Sequence, residues 1–329
     1  MKQEDLMGLE LSTQILINEA INREIEVELI DKNENFIRLR KGNHVEYIKQ
    51  ATKTSADTYI SSLIMENKVV TKLVLEENEI NVPKGISVES VEEAEKHIEM
   101  FLNRDIVVKP KSTNFGEGVF ILKNIQSAHI LTDAVEHALR YDDSVLIEEF
   151  VSGKEYRFLV IGNEVPAILH RVPANVVGDG KHSIKELVDI KNQDPLRGKG
   201  YVTPLEKINL SKVEEDYLAL GERHFQTIPK ENEIVYLREN SNISTGGDSI
   251  DFTDDILDEY KQIAIKAAKS VGAKICGADI IIKNINEKPN ASNYSIIELN
   301  FNPALHIHAF PYQGQNRHVE KKVLDLLGY

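Results

Sequence analysis

Apolar and polar positions alternate along this chain with two periods. Over residues 11–23, Leu11, Ile15, Leu16, Ala20 and Ile21 recur at the spacing of one helix face. Ile25, Val27 and Leu29 then alternate with Glu26 and Glu28, which predicts a strand over residues 25–30 with one wet face. Residues 36–39 and 45–48 flank Lys41-Gly42-Asn43 and predict a hairpin. Residues 58–77 read as one helix that stops before the loop Asn81-Val82-Pro83-Lys84-Gly85.

The middle of the chain is denser in signals. Residues 105–110 form a short buried strand ending in Lys109-Pro110, residues 111–118 a glycine-bearing loop, and residues 119–122 a second strand. A helix over 127–140, a strand over 144–151 and, after Gly153, strands over 156–161 and 165–172 follow. From Thr253 an acidic helix carries Ile256, Tyr260, Ile263, Ala264, Ala267 and Val271 on one stripe, with Gly272 past its end. Residues 275–283 and 294–300 are adjacent strands joined by a polar loop. Several connections are too short for parallel crossovers, so the fold class is α/β (α+β) with largely antiparallel sheets. No repeat, low-complexity tract or Pro/Gly/Ser-rich linker interrupts the pattern, so the expected lobes, 1–84, 85–152 and 153–329, share one body.

Composition narrows the class. The 329 residues suggest about two domains. With 41% hydrophobic and 28% charged residues the chain can bury a core, and no apolar run approaches the ~18 residues of a membrane span. The start, MKQEDLMGLELSTQ, lacks the basic and apolar regions of a secretory signal, and the single cysteine, Cys276, fits a reducing cytoplasm. A formal charge of −14 argues against nucleic-acid and anionic-membrane partners. A small polyanion could still bind where lysines and metal ions reverse the field locally.

Three groups of residues carry that chemistry. The strand–loop–strand of residues 105–122 would fold over phosphates as a flap, with backbone N–H groups from Ser112, Phe115, Gly116 and Gly118. Lys109, at the end of a Val-Val strand, calls for a neutralising anion, and Lys68 is a second candidate cation. Read alone, the loop is equally a glycine hairpin turn and Lys109 a snorkelling surface lysine. Asp279 sits inside an apolar strand where a carboxylate has no structural reason to be, while Glu298 and Asn300, two apart, share a face of the next strand. If those strands pair, three hard oxygen ligands meet, a set suited to Mg²⁺; the alternative is unrelated polar caps at strand ends. Zinc at His306-Ile307-His308 is disfavoured for want of further ligands. The strand end at Glu148, Glu149, Phe150 and Val151 could offer backbone N–H and C=O groups to an adenine edge, with Phe150 and Val151 as apolar contacts and Glu155 free to accept ribose hydroxyls.

Together these motifs, in this order, resemble the ATP-grasp superfamily. Residues 11–17, Tyr47 to Thr54, Val-Gly-Asp-Gly180, Lys191-Asn-Gln-Asp-Pro-Leu-Arg-Gly198 and Ser244-Thr-Gly-Gly-Asp248 are similar to the C-terminal ligase domain of bacterial bifunctional glutathione synthases. Cyanophycin synthetases share the Gly-Asp-Gly and Asn-Gln-Asp-Pro segments. The resemblance implies two α+β lobes holding ATP between antiparallel sheets, with a small N-terminal pre-grasp lobe. It implies ATP-dependent joining of a carboxylate to an amine through an acyl phosphate, here γ-glutamylcysteine and glycine giving glutathione. The cofactors implied are ATP and Mg²⁺, two ions or Mn²⁺ in their place; the partners are small molecules, and a homodimer is left open. Lys68, Lys109 and Mg²⁺ on Asp279, Glu298 and Asn300 would neutralise the triphosphate. Backbone N–H groups of Ser244, Thr245, Gly246 and Gly247 would cradle acyl-phosphate oxygens, and His306 would border the substrate pocket. More distant grasp enzymes carry arginine two residues before the metal aspartate; Gly277 stands there in this chain, so the cation is expected from Arg171 or Arg238. The ligase half that precedes this domain in the bifunctional enzymes is absent from the 329 residues, so the expectation is a stand-alone ligase or an isolated domain. The rival readings are a cyanophycin-type peptide ligase and a catalytically silent nucleotide-binding module.

Overall fold

The computed structural model describes residues 6–113 and 118–329. Helix α1 (Leu11–Asn22) leads into a meander of β1 (Glu26–Asp31), β2 (Phe36–Lys41) and β3 (His44–Lys49), followed by α2 (Tyr59–Glu66) and α3 (Lys68–Glu77). A small lobe contains β4 (Gly85–Val88), α4 (Val91–Lys96), β5 (Ile106–Pro110), β6 (Phe120–Leu122), α5 (Ala128–Ala138) and β7 (Val145–Glu149). The long hairpin β8 (Lys154–Ile161) and β9 (Glu164–Val172) comes next. It is followed by a segment with β10 (Asn175–Val177), α6 (Ile184–Lys191), β11 (Arg197–Gly198), β12 (Leu205–Glu206), α7 (Lys212–Leu220) and β13 (Ile234–Tyr236). The chain closes with β14 (Asp248–Asp251), α8 (Asp258–Ser270), β15 (Ile275–Ile282), β16 (Tyr294–Asn300), α9 (His306–Ala309) and α10 (Val319–Leu326).

The two largest sheets are antiparallel. The large one has strand order β14-β9-β8-β15-β16 and the small one β4-β7-β5-β6. Both faces of the large sheet are covered, which is why β15 reads as an almost unbroken apolar run. On one face Phe158, Val160, Cys276, Ala278 and Ile280 pack against Tyr260, Ala264 and Ala268 of α8 and against Met65 and Leu75 of α2 and α3. On the other, Leu159, Ile161 and Ile275 join Leu16 and Ile17 of α1, Ile37 and Leu39 of β2, and Val323 and Leu324 of α10. Residues 9–51 therefore share a core with the far end of the chain. The small lobe has its own core, in which Leu131 and Val135 of α5 pack on Val108 and Ile147.

Two expected elements differ. Residues 58–77 form two helices, because Asn67 leaves the helical region and accepts from the N–H groups of Val69 and Val70, capping α3 at its start. That break places Lys68 on the first turn of α3. The acidic helix begins at Asp258 rather than Thr253: Thr253 Oγ1 donates to the Asp251 side chain at 2.6 Å and its own N–H to the same oxygen at 3.1 Å, a local turn that competes with helix. Cys276 is fully buried, and burial pushes its thiol up to about 12, so it behaves as a small hydrophobe.

Phe158→Ala, in the middle of β8, is expected to cost about 3–5 kcal/mol of stability, and Asn67→Ala about 1 kcal/mol. Urea unfolding midpoints check both; equal shifts for the two would contradict this account of the core and the cap.

Candidate active site

The register of the large sheet assembles the site. Asp279 pairs with Arg157 on β8 to one side and Glu298 on β16 to the other, while Gly277 pairs with Asn300. Directly opposed residues share a face, and alternation adds Glu155 and Arg171 to it. The apolar end of this face lies under α1 and α10; the polar end carries the six side chains. Asp279 is wholly buried. Its Oδ1 accepts from Arg157 Nε, and its Oδ2 accepts from Arg157 Nη2 at 2.8 Å, Arg171 Nη2 at 3.1 Å and Asn300 Nδ2 at 3.2 Å. Burial works to raise the Asp279 carboxyl, but the Arg157 and Arg171 charges outweigh it and hold it below the usual carboxylate range. Glu298 is partly exposed and faces Lys68 Nζ at 3.6 Å. Burial lowers the Lys68 ammonium, with Glu298 opposing the effect; its Nζ donates to the Thr113 carbonyl at 2.6 Å.

Beside this face a narrow cleft opens between the lobes. Met65, Leu75, Val82 and Ile296 give it apolar walls, and Lys72 and Lys109 give it charge. Lys109 lies 2.7 Å from one oxygen of Glu148 and Lys72 3.3 Å from the other. An anion that Lys109 calls for is thus supplied by the protein itself, in Glu148. Glu148 is 3% exposed, and its two oxygens are engaged by Lys72 and Lys109.

Other expected groups are engaged elsewhere. The Ser112 N–H donates to Asp142 at 2.6 Å instead of pointing free into the flap; Phe115 and Gly116 lie outside the described residues. Gly118 adopts φ +71°, and a side chain there would meet Pro110 Cγ at 2.7 Å, so the glycine is required. The N–H groups of Glu149 and Phe150 donate to the Lys84 and Asp105 carbonyls, knitting that segment into the small lobe, and Val151 is half-buried. Glu155 is not free for hydroxyls: Arg171 and Ser241 Oγ (2.6 Å) occupy its two oxygens. Arg171 does reach Asp279, whereas Arg238 pairs with Glu214 of α7. The N–H groups of Thr245, Gly246 and Gly247 donate to carbonyls of Asn242 and Ile243, so that turn is closed on itself, with Ser244 half-buried within it. His306 is 3% exposed and hydrogen-bonded to Ser12 Oγ at 2.8 Å, behind the site rather than at its edge.

Sequence reasoning missed Arg157 and the role of the Lys191–Gly198 motif. Arg157 lies over Gly277: a Cβ at residue 277 would stand 2.8 Å from Arg157 Cδ. The glycine in an otherwise apolar strand was the available signal. Arg197 donates from Nη1 to the Gly246 carbonyl at 3.0 Å and from Nη2 to Asp248, whose other oxygen accepts from Lys191 at 2.7 Å. The motif therefore clamps the Ser244–Gly247 turn to β14.

The donor chemistry fits a hard divalent cation. Glu298 and Asn300 offer oxygens beside Asp279, and Asn300 uses only its amide N–H on that carboxylate. Among the described residues no group of three His, Cys, Asp or Glu side chains is poised to hold a metal by itself. The set suits an ion that brings further ligands with it, as Mg²⁺ on a triphosphate does.

Known proteins resemble this chain over most of its length. Residues 65–181 and 235–323 match the RimK-like ATP-grasp domain, and residues 7–60 match an ATP-grasp-like domain. The unmatched stretch between 181 and 235 holds α6 to α7, whose apolar residues form a separate cluster. The glutathione biosynthesis bifunctional protein GshAB of Clostridium perfringens is 59% identical over 99% of this chain and 42% of its own length. That of Listeria welshimeri is 53% identical over 97% of this chain and 41% of its own length. The crystal structure of a bifunctional glutathione synthetase from Pasteurella multocida matches with TM-score 0.76 and 45% identity, over 98% of this chain and 44% of that one. The chain thus spans about two fifths of the length of these relatives. No helix among the described residues is long and apolar enough to cross a membrane.

Burial holds the His306 imidazole down at about 4, against an ordinary value of 6.5. The unfolded chain then binds the extra proton between these values, so stability rises with pH across that window, is full above it, and is lost as pH falls. His306→Gln should flatten the decline in stability between pH 7 and pH 5; parallel pH profiles of urea midpoints for the two proteins would refute this.

Proposed function

We propose that this chain, which belongs to the RimK-like ATP-grasp family, is an ATP-dependent carboxylate–amine ligase that adds glycine to γ-glutamylcysteine to form glutathione. The observation that carries the reading is one sheet face on which Asp279, Glu298 and Asn300 stand beside Lys68, next to a cleft bearing Lys72 and Lys109. The names of the bifunctional relatives support the substrates.

A carboxylate is a poor electrophile, and phosphorylating it creates a leaving group that an amine can displace. The first step brings one anion against another, so catalysis rests on neutralising charge and aligning the reactants. Lys68 and Lys109 supply positive charge from opposite lobes, and Glu148 and Glu298 hold the two ammonium groups in place. Arg171, held by Glu155 and Asp279, is the cation set to face the transferred phosphoryl group. Met65, Leu75, Val82 and Ile296 exclude water and receive the base. Bound at Glu298, Asn300 and Asp279, Mg²⁺, as one or two ions or with Mn²⁺ in its place, would add charge at the phosphate oxygens. The carboxylate attacks the γ-phosphorus with ADP leaving, and the amine then attacks the acyl carbon with phosphate leaving and loses its proton, so neither step requires a Ser, His or Cys nucleophile.

Asp279→Asn is expected to lower turnover roughly 10²–10³-fold, and carboxylate labelled with ¹⁸O should pass its label to released phosphate. Phosphate release is to be compared for γ-glutamylcysteine with glycine and for Asp- and Arg-containing acceptors. Activity on the latter alone would favour a cyanophycin-type ligase, and unlabelled phosphate would exclude the acyl phosphate. Stabilisation by ATP with no turnover on any pair would leave a silent nucleotide-binding module.

A further inference from the structure

The charges around Asp279 close on themselves without any metal. Glu155, Asp279 and Glu298 are the anions; Lys68, Arg157 and Arg171 are the cations, and every one is ion-paired within the group. Both guanidinium groups are 8% exposed, so neither swings out to solvent without losing its partner and its packing. Gly277 makes the arrangement possible, since any side chain there would displace Arg157 from Asp279. A bare divalent cation arriving at this carboxylate meets two guanidiniums already seated on both of its oxygens. It would leave the buried cluster with two uncompensated positive charges. A polyphosphate arriving with the ion reverses that balance: its oxygens take up the positive charge and complete the ion's ligand shell.

We infer that Arg157 and Arg171 form a clamp on Asp279 that excludes free divalent cations and admits the metal only together with a polyphosphate. Arg157 is on this account a positioning residue: it acts on the metal through Asp279, and Gly277 is the space it needs. The inference rests on the metal reading of Asp279, Glu298 and Asn300 given above.

The test is Mn²⁺ binding to the full chain, followed by electron paramagnetic resonance and calorimetry, with Mn²⁺ alone and with Mn²⁺ plus ADP. Uptake is measured relative to Asp279→Asn, which subtracts surface carboxylates elsewhere. Wild-type protein should bind Mn²⁺ about 100-fold more tightly with ADP than without it. Arg157→Gln should gain affinity for Mn²⁺ alone and so narrow that ratio. Should Arg157→Gln fail to fold, Gly277→Ala, which crowds Arg157 Cδ, and Arg171→Gln should each narrow it in the same direction. Equal affinity with and without ADP in wild-type protein, or an unchanged ratio in the folded variants, overturns the clamp. Failure of Mn²⁺ to bind even with ADP overturns the metal reading itself, and the clamp with it.

Discussion

A carboxylate buried to the last square ångström is the constraint from which the large lobe is arranged. Asp279 lies in the middle of β15, in a strand otherwise made of Ile, Cys, Gly and Ala. Ionised and unpaired there, it would cost several kcal/mol. The fold answers with four N–H donors from three other strands, two guanidiniums and one amide. Those donors fix the neighbours of β15. Arg157 must come from the strand on one side and Asn300 from the strand on the other, and Arg171 reaches across from β9. Gly277 follows from the same requirement, because Arg157 fills the volume where a side chain would stand.

The small lobe repeats the principle on its own side of the cleft. Glu148 is buried between Lys109 of β5 and Lys72 of α3, which ties the sheet of one lobe to a helix that packs on the other. The cleft between them is therefore a gap between two satisfied polar clusters, with apolar walls of Met65, Leu75 and Val82. A ligand entering it meets charged groups that already have partners. A polyanion there would have to compete with protein carboxylates for the same lysines.

The segment from β10 to β13 adds a further small unit with its own apolar cluster. Its core is small, with Ile184, Val188, Leu218 and Val235 among its buried residues. It is joined to the sheet through Arg197, Lys191 and Asp248, at the turn that precedes β14. Gly246 takes φ +94° there and leaves no room for a side chain, since Ile208 Cα lies 2.7 Å from where a Cβ would be. The segment is thereby tied to the turn leading into β14, the strand that pairs with β9 and Arg171.

Local pattern was sufficient for much of this. Alternation and turn residues located most strands of both sheets but missed the edge strands β4 and β14, and the antiparallel class followed from the shortness of their connections. The i, i+2 spacing of Glu298 and Asn300 put them on one face before any coordinates were known. An aspartate in the run Cys-Gly-Ala-Asp-Ile marked itself as exceptional. What periodicity leaves open is which residue stands opposite. Arg157 is 122 positions from Asp279, and Glu148 is 76 from Lys72. Nothing local distinguishes Arg157 from Arg238, or a lysine awaiting a phosphate from one already paired. The period of a strand decides which face a side chain takes. Strand order and register, set by how the whole chain buries its apolar surface and its few buried charges together, decide what it meets there.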